Sequence, residues 1–380
     1  MEAADAFGCR DDVRPHFLKN LTAVKKIILA AMLMGLSFAA QAQSSVTLFG
    51  LLDVGVTYTS NAGGHSSIAE QSGIQAPDLI GMHGTEDLGG GYAAIFVMDG
   101  MFSINTGAAE SGGGIFGHES YVGISTPMGT VTLGNQLDYM NESLSVARYG
   151  NQIPYVSLYQ LPDGPFSKLG TPLGTFDYSR LAGGQASPNT IKFTSKTYDG
   201  LDFGAMYGFS NIAGEGGTDN MSSFALNYAS GPVRLDAAYT FAHDQTLGNG
   251  TGGIRNWGAG GRYDFGRFAF DALYTNTDNT FNGAQVSSIE IGGLYSFAPD
   301  FFAYAQYIYA KGNDVLTDNR ANQIGLTLDY LLSRRTDVYV NGIYQHASGG
   351  EDAFAAISGS STASTTGSQT IVRVGIRHLF

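Results

Sequence analysis

Short segments in which apolar and polar residues alternate recur along the whole chain. In the segment 370–380, Val374 and Ile376 alternate with Arg373 and Arg377. Successive side chains of a β-strand point to opposite faces, so this strand has one apolar face and one face that carries cations. A single strand of this kind fits either a soluble sandwich or a barrel with lipid outside and water inside. Its repetition along the chain favours the barrel.

Sixteen such segments are predicted, each close to the length of about 9–11 residues that a tilted strand needs to cross a bilayer. Tight turns rich in Gly, Pro, Asp and Ser alternate with longer polar loops such as 59–76 and 348–369, as is typical of transmembrane barrels. The sequence therefore predicts an all-β fold, a sixteen-stranded antiparallel transmembrane β-barrel with both termini on the short-turn side. The predicted strands are 46–58, 77–88, 91–102, 117–126, 129–137, 188–197, 201–209, 222–230, 232–242, 255–265, 267–276, 286–297, 301–311, 320–332, 336–347 and 370–380.

The connection 138–187 is far longer than the others. Loops of this length are uncommon in compact domains and are usually functional. In a barrel wide enough to be hollow, we expect this third external loop to fold inward and narrow the lumen.

The start of the chain reads as a secretion signal. Lys25 and Lys26 precede an apolar run, and Ala40-Gln41-Ala42 supplies a small-x-small cleavage pattern. We predict that residues 1–42 form an N-terminal extension and signal peptide, with cleavage near Ala42, and that residues 43–380 form the barrel. The single cysteine, Cys9, lies in the removed part, so disulfides and cysteine metal sites are not expected in the mature chain.

Catalysis is not expected, because no catalytic constellation is present. The histidines are scattered one per segment, and neither a Gly-x-Ser-x-Gly elbow nor a His-Glu-x-x-His motif occurs. Gly248–Gly253 matches a dinucleotide fingerprint formally, but it lies in a predicted loop and is followed by a strand. No cofactor or metal is predicted. The formal net charge of −13 argues against nucleic-acid partners.

Several motifs together resemble one family. They are Ser45–Asp53 (SVTLFGLLD), Gly84–Gly91 (GTEDLGGG), Tyr121–Gly123 with Gly129–Gly134 (YVG and GTVTLG), Arg335–Tyr339 (RTDVY) and Gly375–Phe380 (GIRHLF). In these stretches the chain closely resembles the general porins of β-proteobacteria, from the signal segment to the last residue.

The resemblance implies a homotrimeric, water-filled outer-membrane channel through which small hydrophilic solutes and ions diffuse passively. It implies an inward third external loop, with acidic groups on that loop and an adjacent strand facing arginines on the opposite wall. The expected partners are a homotrimer, outer-membrane lipids and lipopolysaccharide. Phe380 resembles the family's signal for the barrel-assembly machinery.

The chain departs from the family at four basic positions. Where the family usually has arginine, this sequence has Leu79, His83, His118 and Asn135, whereas the acidic residue on the third strand is retained as Asp99. Positions 83 and 118 are therefore basic only when histidine is protonated. We expect a pore with reduced anion preference relative to the family, unless bases at other positions compensate.

The residues predicted to set the field of the constriction and lumen carry charge or can acquire it. They are the acidic Asp99, Asp138, Glu142 and Asp163, the basic Arg148, Lys168, Arg180, Lys192, Arg373 and Arg377, and the titratable His83 and His118. The alternative is a substrate-selective channel of the same architecture, in which the aromatic residues of the long loop form a slide or gate. Those residues are Tyr149, Tyr155, Tyr159 and Phe166.

Overall fold

The computed structural model describes residues 45–110, 114–149, 157–171, 186–214 and 217–380, and most of these residues lie in β-strands. The predicted signal segment 1–42 and the site residue Arg180 lie outside this part of the chain. The strands are β1 Ser45–Ala62, β2 His65–Ser72, β3 Leu79–Gly89, β4 Tyr92–Met101, β5 Glu119–Ser125, β6 Gly129–Gln136, β7 Ser187–Ser195, β8 Leu201–Gly208, β9 Met221–Ser230, β10 Val233–His243, β11 Gly253–Phe265, β12 Phe268–Asn279, β13 Gln285–Ala298, β14 Phe301–Gly312, β15 Arg320–Leu331, β16 Thr336–Ser348 and β17 Ser368–Leu379.

The strands pair in sequence order and close on themselves. Every pairing is antiparallel, and β17 returns to pair with β1, with Asp53 opposite Arg377 and Thr59 opposite Ile371. β2 and β3 both pair with β1, on its C-terminal and N-terminal halves respectively. They are consecutive halves of one barrel strand, so the prediction of a closed sixteen-stranded antiparallel barrel is confirmed.

The first external connection differs from the predicted loop 59–76. β1 continues to Ala62, and Gly63 and Gly64 turn the chain directly into β2 with φ angles of 64° and 98°. Positive φ at both turn residues matches the right-handed twist of paired strands, which is why glycine serves here. β2 was missed because it is mostly polar and carries little apolar alternation. The chain then leaves the sheet at 73–78 before β3 begins at Leu79.

The two faces of the barrel differ in the sense expected of a membrane protein. On β17, Val374 and Ile376 are 56% and 44% exposed, whereas Arg373 and Arg377 are 0% and 2% exposed. Apolar side chains therefore point outward and charged side chains point inward, which is the reverse of a soluble protein.

Aromatic rings line the outer surface where β11 to β15 meet their short turns. Contacts with centroid separations of 4.8 to 6.4 Å connect them into one row. The row consists of Tyr263, Phe265, Phe268, Tyr295, Phe297, Phe301 and Tyr330. Amphipathic rings at one level are typical of a membrane–water interface.

Within the described ranges, helical structure is confined to the connections. Helix α1 spans Tyr139–Tyr149 and packs mainly against β9 to β12, and short 3₁₀ turns occur at Leu158–Gln160, Ser167–Leu169 and Asp314–Leu316. In the described ranges no helix has the length and apolar character needed to cross a membrane. Buried Tyr139, Met140 and Leu144 of α1 form an apolar cluster with wall residues such as Leu273.

Candidate functional site

The inner side of β17 carries a buried ion pair. Arg373 and Asp53 are both fully buried, with Nη2 of Arg373 3.4 Å from Oδ2 of Asp53. The guanidinium also donates to Tyr339 Oη at 2.8 Å, to Thr57 Oγ1 at 3.1 Å and to the Gln71 carbonyl at 3.0 Å. The charge of Arg373 is therefore matched by a carboxylate and enclosed by acceptors.

Arg377 forms a second buried cluster two residues further along the same face. Its guanidinium lies 3.0 Å from Asp337 and 3.7 Å from Asp329, and all three side chains are 3% exposed or less. Asp337 stands directly opposite Arg377 in the β16–β17 register, and Asp53 stands opposite it on β1. Carboxylates thus flank this arginine on both neighbouring strands.

Lys192 and Glu142 connect β7 to α1. Nζ of Lys192 lies 2.5 Å from Glu142 Oε1 and donates to the Leu137 carbonyl at 2.9 Å, above the Tyr139 ring. The buried Asp138 carboxylate accepts the Asn141 amide at 3.1 Å, which is the geometry of an N-cap.

A cavity of about 320 Å³ lies beside α1, between the helix and the wall. Its polar lining includes Glu142, Asp202, Asn227, Arg234 and Asp236. Asp202 and Asn227 are hydrogen-bonded to each other at 2.8 Å. The space is large enough for several water molecules.

Asp99, His118 and Glu119 meet where β4 ends and β5 begins. Asp99 is 4% exposed, and its Oδ1 accepts from His118 Nδ1 and from the Glu119 amide, each at 2.8 Å. Burial disfavours the imidazolium of His118, but the hydrogen bond and charge of Asp99 together with the charge of Glu119 raise its pKa. One ligand atom from each of the three residues lies within 4.8 Å of the others.

The segment 157–161 is held by side chains of several strands. Gln306 donates to the Gln160 carbonyl at 2.7 Å, and Gln323 donates to the Tyr159 carbonyl at 3.1 Å. On the other side of the segment, Tyr159 Oη hydrogen-bonds Thr57 Oγ1 of β1 at 3.0 Å. The segment therefore bridges β1 to β14 and β15.

An ion pair also connects the long loop to the last external loop. Lys168 Nζ lies 2.6 Å from Asp352, and both side chains are exposed. The hydrogen bond from Lys168 lowers the pKa of Asp352 to about 2. Asp163 contributes through its backbone, since its carbonyl accepts from Gln345 at 3.1 Å.

The remaining predicted site residues lie apart from these clusters. His83 is exposed on β3 with its ring 5.5 Å from that of Phe49. Arg148 belongs to α1, and its side chain lies outside the described part. Phe380 extends β17, exchanging backbone hydrogen bonds of 3.1 and 3.2 Å with Gly50.

Sequence reasoning missed the acidic partners of the basic residues. Asp53, Asp329 and Asp337 all lie in the inward phase of their strands, so alternation alone could have placed them on the inner face. Their pairing with Arg373 and Arg377 depends on strand register, which alternation does not give. Glu119, which follows His118 in the chain, is not among the predicted site residues.

Carboxylates outnumber bases among the buried charged side chains of the described ranges. Nine acidic residues and four basic residues fall in this class. Each of the four bases has a carboxylate partner within 3.4 Å. The acids are Asp53, Asp78, Asp99, Asp138, Asp236, Asp271, Glu290, Asp329 and Asp337, and the bases are Lys192, Arg262, Arg373 and Arg377.

Comparison with known proteins agrees with this architecture. An outer membrane porin protein of Bordetella pertussis is 26% identical over 418 residues, covering 94% of this chain and all of that protein. Outer membrane porin protein 32 of Delftia acidovorans is 29% identical over 383 residues, with the same coverage. The anion-selective porin from Comamonas acidovorans superposes with a TM-score of 0.73 at 24% identity, over 89% of this chain and all of that one. OmpT of Vibrio cholerae superposes with a TM-score of 0.63 at 15% identity, over 89% of this chain and 99% of that one.

The Gram-negative porin family matches residues 29–350, which is most of the chain. In this chain charged side chains point into the barrel, apolar side chains point outward, and the strands close on themselves. A water-filled channel in a lipid bilayer requires this arrangement. The chain belongs to the Gram-negative porin family and is an outer-membrane porin.

Proposed function

We propose that this porin is a general-diffusion channel with reduced anion preference, open to small hydrophilic solutes and ions. The balance of buried charge carries the proposal, since each of the four buried bases of the described ranges has a carboxylate partner. A permeating anion therefore meets cations that are already paired with carboxylates. In the same ranges the Asp99 carboxylate, which has Glu119 beside it, is paired only with a histidine.

Single-channel recording in a planar bilayer with a tenfold KCl gradient tests the selectivity. We expect a reversal potential whose sign indicates cation preference, or one that is close to zero. Strong anion selectivity would contradict the proposal. The absence of any conductance from folded, heat-modifiable protein would contradict the diffusion channel itself.

The long loop folds inward in this proposal. The support is that segment 157–161 forms hydrogen bonds with inward-phase side chains of β1, β14 and β15, which no surface path over the barrel could reach together.

A disulfide tests this placement. A Cβ at Gly325 would lie 3.2 Å from Cγ of Gln160, close enough for a disulfide between Gln160→Cys and Gly325→Cys. We expect this disulfide to form in the folded barrel. Gly342→Cys, where a Cβ would have nothing within 4 Å, is the matched control for Gly325→Cys, and equal cross-linking of both would contradict inward placement.

The porin assembles as a homotrimer in contact with outer-membrane lipids and lipopolysaccharide in this proposal. Its family membership supports the assembly, and the aromatic row of β11 to β15 supports a lipid-facing side. Closure of a reconstituted channel in three equal conductance steps would be the expected signature, and single-step closure would contradict it.

A substrate-selective channel is the second candidate, but the loop aromatics give it little support. Tyr159 is fully buried and hydrogen-bonded, and Phe166 is 3% exposed within an apolar cluster. Neither presents a free ring surface for a solute. Tyr155 and the side chain of Tyr149 lie outside the described part of the chain. Conductance that saturates with solute concentration and is lowered by competing solutes would favour this candidate, and linear conductance would favour general diffusion.

A further inference from the structure

We propose that Asp99, His118 and Glu119 form a binding site for a divalent transition-metal ion of the Zn²⁺ type at the loop ends of β4 and β5. Passive diffusion does not need such a site. A bound ion would give the wall of this porin a charge that responds to metal.

The three side chains already have nearly the spacing that a metal needs. His118 Nδ1 and Asp99 Oδ1 are 2.8 Å apart, and one ligand atom from each of the three residues lies within 4.8 Å of the others. Ligands of a tetrahedral Zn²⁺ with bonds of about 2.0–2.2 Å lie about 3.3 Å apart. The cluster must therefore contract on one side by up to about 1.5 Å and open slightly on the other. His118 and Glu119 are only partly buried and can make this change, whereas Asp99 is fixed.

Backbone groups hold the carboxylates in position before any ion arrives. The Glu119 amide donates to Asp99 Oδ1 at 2.8 Å, and the Leu137 amide lies 3.4 Å from Glu119 Oε1. Asp99 and Glu119 are also direct partners in the β4–β5 register. Groups that orient the ligands from outside the coordination sphere contribute substantially to metal affinity.

The local charge is suited to a dication. In the described ranges Asp99 forms an ion pair only with His118, and the nearby Lys192 is engaged by Glu142. With both carboxylates ionised and the imidazole neutral, the three side chains carry a formal charge of −2, which a divalent ion cancels. Metal binds to an imidazole nitrogen that carries no proton, so His118 binds the ion in its neutral form.

The donor set selects the class of metal. An imidazole with two carboxylates suits Zn²⁺ and its neighbours, whereas Ca²⁺ and Mg²⁺ prefer sites built entirely of oxygen. Three protein ligands leave a coordination position for water. A bound ion would remove two formal negative charges from the wall, so we expect metal to lower the cation preference of the pore.

Calorimetric titration of the refolded, EDTA-stripped protein with Zn²⁺ tests the site directly. We expect one tight equivalent per chain that Ca²⁺ does not displace. Asp99→Asn, His118→Gln and Glu119→Gln should each weaken binding by more than about tenfold. His83→Gln is the matched control, because in the described ranges His83 lies on the neighbouring β3 outside any such cluster. Unchanged affinity in Glu119→Gln and His118→Gln, or an equal loss in His83→Gln, would overturn the proposal.

Two features keep the test decisive. Heat-modifiable gel mobility identifies the variants that fold, and Glu119→Gln is isosteric and interrupts only one 3.4 Å backbone contact. Binding in detergent requires no open channel, so Zn²⁺ binding without conductance would support the site while contradicting the channel. Normal conductance without Zn²⁺ binding would overturn the site alone. In the bilayer, Zn²⁺ should shift the reversal potential of the wild-type protein toward anions and leave that of Glu119→Gln unchanged.

Discussion

Arg373 illustrates how a buried cation on the inner face of the barrel can be matched by neighbouring groups. Its guanidinium is enclosed by the Asp53 carboxylate, the Tyr339 hydroxyl and oxygen atoms of β1 and β2. A charge that is neutralised at 3.4 Å presents little net field to an ion passing further away. A count of inward arginines that omits their carboxylate partners therefore overestimates the positive charge of the described inner face.

Removing the partner of Arg373 should be costly. Asp53→Asn leaves the guanidinium buried without an anion, and we expect the free energy of unfolding to fall by about 3–5 kcal/mol. Denaturant unfolding of the refolded barrel in lipid vesicles measures this. Asp300→Asn, at an exposed position in a short turn, is the control and should change stability little. A loss of under about 1 kcal/mol in Asp53→Asn would show that the pair is not needed for stability.

A single carboxylate should influence selectivity measurably. One charge about 10 Å from a passing ion contributes about 0.4 kcal/mol in water, with opposite sign for cation and anion. After screening, and at a pH at which Glu119 is ionised, Glu119→Gln should lower the cation-to-anion permeability ratio by about two- to fourfold. Reversal potentials in the presence of EDTA measure this change. Glu86→Gln, in the outward phase of β3, should leave the ratio unchanged, and an equal effect of both would refute the assignment to Glu119.

At the scale of elements, hydrogen bonds join the connections to one another and to the barrel strands. The bend 73–78 and the segment 157–161 meet where the Leu158 amide donates to the Ile74 carbonyl at 2.7 Å. Gln345 joins the last external loop to the wall through the Ala356 carbonyl at 2.9 Å. Amide side chains can donate and accept at once, which suits them to hold irregular backbone against a sheet.

Loosening one such contact should make the channel noisier. Gln306→Ala combined with Gln323→Ala removes two donors to the carbonyls of 159 and 160, each worth about 1 kcal/mol. We expect more frequent current fluctuations with the main conductance level retained. Gln285→Ala, an exposed position on β13, is the control. Open-channel noise equal to that of the wild-type protein would indicate that other contacts suffice to hold the segment.

The ion pair between Lys168 and Asp352 should persist in mild acid. The pKa of Asp352 is lowered to about 2 from a usual value of 3.8, so the interaction is complete above the unfolded pKa and is lost as the pH falls through about 2. A carboxyl carbon NMR titration of labelled protein should give an apparent pKa well below 3.8. In Lys168→Gln this pKa should rise toward the usual range, although the hydrogen bonds from Asn319 and Thr317 remain. A normal pKa in the wild-type protein would mean that the two loops are not joined in solution.

The strands were largely predictable from sequence, whereas the site was only partly so. The predicted strand 301–311 matches β14, Phe301–Gly312, because apolar and small or polar residues alternate over its whole length. β2 was missed because its outward positions are mostly polar. The ion pairs of Arg373 and Arg377 depend on strand register, and one of them joins residues hundreds of positions apart, Asp53 and Arg373. Such information is absent from local periodicity.

The whole molecule depends on joining its two ends. β1 and β17 pair from Leu51–Leu379 to Thr59–Ile371, and Phe380 adds two further backbone hydrogen bonds to Gly50. Closure pairs the amides of both end strands, which lipid could not satisfy. Because the backbone of both strands supplies this closure, the Phe380 side chain is not itself required for it.

Assembly in cells and intrinsic stability should therefore respond differently to Phe380→Ala. The ring is 41% exposed, so its loss should lower the free energy of unfolding of the refolded barrel by only about 1–2 kcal/mol. In cells we expect a much larger decrease in folded, membrane-inserted protein, because Phe380 resembles the assembly signal of the family. Leu332→Ala removes an exposed apolar side chain near a short turn and should leave both quantities almost unchanged. Equal impairment of the refolded Phe380→Ala barrel and of the protein in cells would contradict this prediction. The ring would then be a closure residue rather than a signal, since only closure acts without the assembly machinery.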